Sequence, residues 1–120
     1  MSAPASSASA AAGLRRWTRG HDLHVKAAVG LLIAQETWLR RSEFRAGCVE
    51  RDGDGTCWID WDDAREAFDA GRFATASSSE AALLDLVIAL GEDRYRFSSM
   101  DGVQARMVAE AVAAAVGVDR

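Results

Sequence analysis

RDGDGTCWIDWDDAREAF, residues Arg51–Phe68, holds the decision about this chain's fold. Two Asp-Gly pairs stand at its start, and an Asp-Gly between alternating apolar residues is a strong signal for a hairpin turn. After the pairs, Cys57, Ile59 and Trp61 alternate with Thr56, Trp58 and Asp60. Before them, Phe44, Ala46 and Cys48 alternate with Arg45, Gly47 and Val49. The spacing predicts a β-hairpin. A two-residue loop at Asp52-Gly53 would set Cys48 opposite Cys57, and a longer loop would shift the pairing while keeping the same faces inward.

The same stretch ends as a helix. Asp60 suits the cap, Asp63 can reach back in a variant of the capping box, and the neighbouring aspartates suit the positive end of the helix dipole. Trp61, Ala64 and Phe68 then fall on one stripe, with Gly71 as the stop.

The start of the stretch resembles a calcium-binding EF-hand loop. "ERDGDGT" is similar to the first seven loop positions, and "IDWDDAREAF" to the remainder with its exiting helix. The resemblance implies Glu50, Asp52, Asp54, Thr56 and Asp63 as oxygen ligands, with Gly55 at the sharp turn. Cys57 and Trp58 are inserted between the two halves. Without a gap the twelfth position falls on Trp61, which has no oxygen to give. With the insertion looped out it falls on Asp63. Glu50 also stands where aspartate is usual, and no second loop follows. The inserted Cys-Trp restores strict strand alternation, so hairpin, turn and capped helix are the expected reading, with metal binding the alternative.

Outward from this stretch the chain reads as helices. Asp22 caps a long one to about Arg41, with Leu23, Ala27, Ala28, Leu31, Leu32, Gln35, Trp38 and Leu39 along one side. Gly30 inside it costs about 1 kcal/mol against alanine, which close approach of a neighbouring backbone would explain. "LRRWTRG" is a short helical turn ended by Gly20. "SSSEAALLDLVIALGED" is a central buried helix, with a capping box at Ser77 and Glu80 and a stop at Gly91. Ser98 and Asp101 begin a last helix to about Val116, whose Val103, Met107, Val108, Ala111, Val112 and Ala115 offer a broad face for tight packing. The sum is an α+β, helix-dominant domain with about four helices packed around one β-hairpin. Residues 1–13 are expected as a disordered Ala/Ser-rich tail and residues 14–120 as a single small globular domain.

Composition narrows function. The net charge of −4 over 120 residues argues against a general nucleic-acid binder. No apolar run nears the ~18–20 residues that cross a bilayer, the longest being Ala27 to Ala34. Two cysteines are too few for a disulfide scaffold. The N-terminus lacks a basic region ahead of an apolar core, and its Ser/Ala bias resembles a transit peptide less than a plain tail. A cytoplasmic setting with reduced thiols is expected. Cys48, Cys57, His21 and His24 could in principle make a Cys₂His₂ zinc set, but neither pair has zinc-finger spacing. No Gly-x-Ser-x-Gly, P-loop or dinucleotide glycine pattern occurs. Neither catalysis nor a cofactor is expected.

Charge is uneven along the chain. Arg15, Arg16, Arg19 and Lys26 cluster near the N-terminus, and residues 50 to 69 are strongly acidic. Arg15, Arg16, Trp17 and Arg19 form the expected partner contact, since an exposed tryptophan beside arginines has the make-up of a binding hot spot. The functional expectation is a small non-catalytic protein-interaction or regulatory module, binding another protein or itself. The alternatives are a calcium-binding protein with a degenerate EF-hand-like loop, and a nucleic-acid-binding regulator using the basic arm.

Overall fold

The computed structural model describes residues 6–118. They form a mostly helical structure with one small antiparallel sheet. Seven α-helices are present among the described residues, α1 (Ser7–Thr18), α2 (Leu23–Gln35), α3 (Thr37–Arg40), α4 (Ser42–Cys48), α5 (Trp61–Asp69), α6 (Ser78–Gly91) and α7 (Gly102–Ala115). The two strands are β1 (Val49–Arg51) and β2 (Cys57–Ile59), and a 3₁₀ turn covers Phe97–Ser99. The helix-dominant α+β class therefore holds, with more and shorter helices than the four expected.

The first difference is at the N-terminus. Residues 7–13 are not a tail but the opening turns of α1, capped by the Ser6 hydroxyl, which accepts from the Ser9 amide at 3.1 Å. The expected tail at residues 1–5 lies outside the described residues. Ala10, Gly13 and Leu14 are buried where α1 packs on β2, with Gly13 allowing the closest approach and Leu14 filling the core. A Cβ at Gly13 would meet the Gly55 carbonyl, with the Cys57 sulfur 2.6 Å and the Cys57 amide nitrogen 2.9 Å away. The close backbone approach expected at Gly30 occurs here instead. Gly30 is exposed and faces open space.

The long helix expected from Asp22 to Arg41 breaks at Glu36, whose φ is +68°. The Gln35 side chain bridges the break, accepting from the Thr37 amide at 3.0 Å and donating to its hydroxyl at 2.8 Å. The buried face of α2 is Val25, Ala28, Val29 and Leu32, while Leu23 and Ala27 are exposed. The run expected as the first strand of the hairpin is instead helix α4. Phe44 and Cys48 are buried, as the strand reading required, but Ala46 between them is exposed. Positions four apart share a face in both periods, and the middle residue decides for helix.

The hairpin itself is present and shorter. Val49 pairs with Ile59, Glu50 with Trp58 and Arg51 with Cys57, so Cys48 is not opposite Cys57. A five-residue loop over 52–56 replaces the two-residue turn, closed by the Asp52 amide donating to the Thr56 carbonyl at 3.1 Å. Gly55 takes the left-handed conformation there, with φ +89°.

Asp22 stands at the N-cap of α2 but makes no side-chain cap bond, whereas the caps of α5 and α6 read from sequence are in place. Asp60 accepts from the Asp63 amide at 3.0 Å, and Ser77 with Glu80 forms the full capping box. The core lies where α6 packs along α2 and receives the aromatic cluster of Trp38, Phe44 and Phe73, with ring centroids 5.2–5.9 Å apart. Arg65 ties α5 to α6 through Asp85 at 2.8 Å and Glu92 at 3.4 Å. Gly91, read as a stop signal, has a further role, since a Cβ there would overlap the Trp61 indole.

Candidate functional site

The acidic loop is built by local hydrogen bonds. The Asp52 carboxylate accepts from the Asp54 amide at 3.1 Å, and the Asp54 carboxylate accepts from the Thr56 amide at 2.8 Å. A side-chain hydrogen bond with Asp52 and the bonds from Thr56 hold the Asp54 carboxyl down to about 2. The Thr56 carbonyl is occupied across the hairpin by the Asp52 amide. Glu50 sits on β1 opposite Trp58. Asp63 lies elsewhere, lining a hollow with Gly47, Glu66, Ala67 and Arg72, and its charge is felt at the Cys48 thiol. Among the described residues no three His, Cys, Asp or Glu side chains converge as a ligand set for a metal. Glu50, Asp52, Asp54, Thr56 and Asp63 are thus spread over a strand, a loop and a helix.

Titration of the protein with calcium to millimolar concentration is therefore expected to leave the emission of Trp58 and Trp61 unchanged. A saturable change that Asp52→Asn abolishes would restore the metal reading.

The two thiols are free and buried. Burial, reinforced by the Asp63 carboxylate and opposed by Arg72, pushes the Cys48 thiol up to about 11. Burial also raises Cys57. Both are the reverse of an activated nucleophile. His21 stacks edge-on against Trp17 at 5.2 Å, and His24 shares a 3.0 Å contact with the Leu90 carbonyl, so neither is gathered with the thiols.

The basic arm is α1 rather than a loose segment. Arg16 donates to the Asp54 carbonyl at 2.7 Å, which fastens the acidic loop to α1. Trp17 is half-buried between His21 and Trp61, the latter 6.4 Å away. Arg15 and Arg19 are exposed, and Arg15 borders a 260 Å³ hollow with Ser7, Ile33, Glu36 and Arg40. Of the four residues expected at a partner contact, two are engaged within the chain and two face solvent.

The largest unexplained surface is α7. Asp101 caps it through the Gln104 amide at 2.9 Å, as the sequence indicates. None of its residues is buried, although Arg106 and Glu110 are its only charged ones. Val103 is 72 % exposed, Met107 62 % and, just past its end, Val116 67 %. One side forms an apolar groove of about 530 Å³, walled by Phe97 and Met100 at one end and by Val116 and Val118 at the other. Val108 and Val112 line its middle. Of these, the sequence names Val103, Met107, Val108 and Val112 as part of a packing face. The surface they would pack against is not found among the described residues, and a single sequence carries no signal for that.

No helix of the described residues is long and apolar enough to cross a membrane. Comparison with protein-family models, curated proteins and solved structures gave no match to this chain.

Proposed function

We propose that this chain is a small non-catalytic protein-interaction module whose contact surface is the apolar groove along α7. The observation that carries the reading is a mostly apolar helix with no buried residue. A helix apolar nearly all round normally lies inside a protein. A helix of 14 residues is marginal in water by its own hydrogen bonds and needs packing to hold it. Exposed apolar patches of this kind mark association sites in folded proteins. Two buried free thiols suit a reducing, cytoplasmic setting. Binding here needs no catalytic group, in keeping with thiols shifted away from reactivity.

Partner capture by the tagged full chain, made in its native host, tests this. Val112→Glu is expected to abolish capture, and the Arg15→Ala, Arg19→Ala pair to leave it nearly unchanged. Loss of capture with the arginine pair alone would move the contact to α1. Capture untouched by Val112→Glu would remove α7 from the account.

A further inference from the structure

We infer that the connection between α6 and α7 is a two-state hinge, held broken by His24 and Ser98, and that on their release α6 runs on as helix through Phe97 and re-aims α7. The inference concerns how α7 is carried and does not depend on what α7 contacts.

The break falls on residues that resist it. The Arg94 amide donates to the Ala89 carbonyl at 3.0 Å and the Asp93 amide to the Leu90 carbonyl at 3.1 Å, the paired bonds that close many helices. Glycine normally holds the left-handed position of that motif, because it has no Cβ to clash. Here Asp93 holds it, with φ +53°, and Arg96 follows with φ +58°. Aspartate tolerates this conformation better than most residues, and arginine does not. Oδ1 of Asp93 is also buried without a hydrogen-bond partner among the described residues. All three features cost the broken state free energy.

Tertiary contacts hold it all the same. The Ser98 hydroxyl donates to Oδ2 of Asp93, which closes the turn. Nδ1 of His24, on α2, lies 3.0 Å from the Leu90 carbonyl, and since a carbonyl only accepts, Nδ1 donates. Nε2 of the same ring lies 3.7 Å from the Asp22 carboxylate. Asp22 makes no cap bond on its own helix and orients His24 instead. The 3₁₀ turn at Phe97–Ser99 rests against α2 as well.

The Leu90 carbonyl is the point of competition. In a continuing helix it would accept from the Arg94 amide. In the broken state it takes His24 and the Asp93 amide. The local sequence does not demand the break. From Glu92 to Asp101 there is neither glycine nor proline, and Glu92, Arg94 and Arg96 favour helix. Running on from Glu92 to Phe97 adds about 9 Å of helix. Both sides of the hinge are firm, since Arg65 on α5 holds Glu92 at 3.4 Å and Asp101 caps α7. No residue of α7 is buried, so its displacement uncovers no core.

Electron–electron distances in the full chain test the inference, with spin-labelled amino acids at the exposed Lys26 of α2 and Ala114 of α7 and both native thiols left in place. Wild type is expected to show mainly the broken state. Ser98→Ala with His24→Ala is expected to raise the ratio of extended to broken chains by at least about tenfold, seen as a second distance together with more helix by circular dichroism. Adding Arg96→Gly relieves the left-handed strain and opposes helix, and is expected to return most chains to the broken distance. Unchanged distances in the double variant overturn the inference. So does a broad continuum of distances with no gain in helix, which is an untied joint rather than two states. Ser98 is exposed, so Ser98→Ala alone is expected to keep the fold and to raise the ratio about threefold or more. No rise there overturns the inference even where His24→Ala unfolds the protein. Crosslinking from Val112 is read separately, so failure of the hinge and failure of the α7 contact surface are distinct results.

Discussion

Trp38→Ala is expected to lower the unfolding free energy by about 3–5 kcal/mol. Trp38 is fully buried and sits at the centre of the aromatic cluster, edge-on to Phe73 at 5.2 Å and tilted on Phe44 at 5.8 Å. Its indole nitrogen donates to the Glu80 carbonyl at 3.1 Å, and the Arg41 guanidinium lies 4.9 Å over its ring. Arg41 in turn holds the Glu80 carboxylate at 3.0 Å, so one residue joins α3 to the capped start of α6. Truncation opens a cavity that two neighbouring rings cannot fill by small shifts, and it removes a buried donor at the same time. Trp38→Phe keeps most of the volume and is expected to cost less, mainly the lost hydrogen bond of about 1 kcal/mol plus a smaller void. Urea unfolding followed by circular dichroism measures both. A loss below about 1 kcal/mol for Trp38→Ala would contradict the placement of this residue at the core's centre. Typical domains have only ~5–15 kcal/mol in total, so this variant should unfold well below the wild-type midpoint.

The second large effect is a change of sign between two glycines. Gly13→Ala forces a methyl into the Gly55 carbonyl and the Cys57 sulfur and amide. Two of those three neighbours are backbone, so the hairpin or α1 must move. Overpacking of this kind costs about 1–3 kcal/mol, more than the roughly 1 kcal/mol that alanine gains in helix propensity. Gly30→Ala meets nothing within 4 Å on an exposed helix surface and is expected to stabilise by up to about 1 kcal/mol. Thermal melts of both variants decide it. Stabilisation by Gly13→Ala would contradict the seating of α1 on the acidic loop.

These two glycines also mark how far the sequence reaches. It suggests that one helix glycine answers to a close approach, but the partner element depends on the tertiary fold, and the glycines that do so are Gly13 and Gly91 rather than Gly30. What was legible is local. Asp60, Ser77 with Glu80, and Asp101 each satisfy amides within their own first turn, so their helices are readable without the rest of the chain. Alternation through Cys57 and Ile59 is likewise realised, with Trp58 between them turned outward.

What was not legible depends on distant contacts. Phe44 and Cys48 satisfy a strand and a helix equally, and only the exposure of Ala46 separates them. The break at Glu36 uses a left-handed residue with no glycine to announce it. The opening of α1 is made of alanine and serine, which composition assigns to a tail. Only Ala10 and Gly13 among those small residues are buried, while Ser7, Ala8 and Ala11 border a hollow against Ile33, Glu36 and Leu39. Of the contact expected around Trp17, Trp17 packs on Trp61 and Arg16 bonds Asp54, both more than thirty residues away, while Arg15 and Arg19 face solvent. The apolar residues of α7 are plain in the sequence, whereas their exposure follows only from where the other helices lie.

The central claim is that the α7 groove is the surface through which this protein makes its contact. Site-specific photo-crosslinking in native cells tests it most directly, with a benzophenone amino acid placed once at Val112 and, in a separate chain, at the exposed Asp62 of α5. A discrete crosslinked species from Val112 and none from Asp62 is the expected result. Equal crosslinking from both positions, or none from Val112, would contradict it.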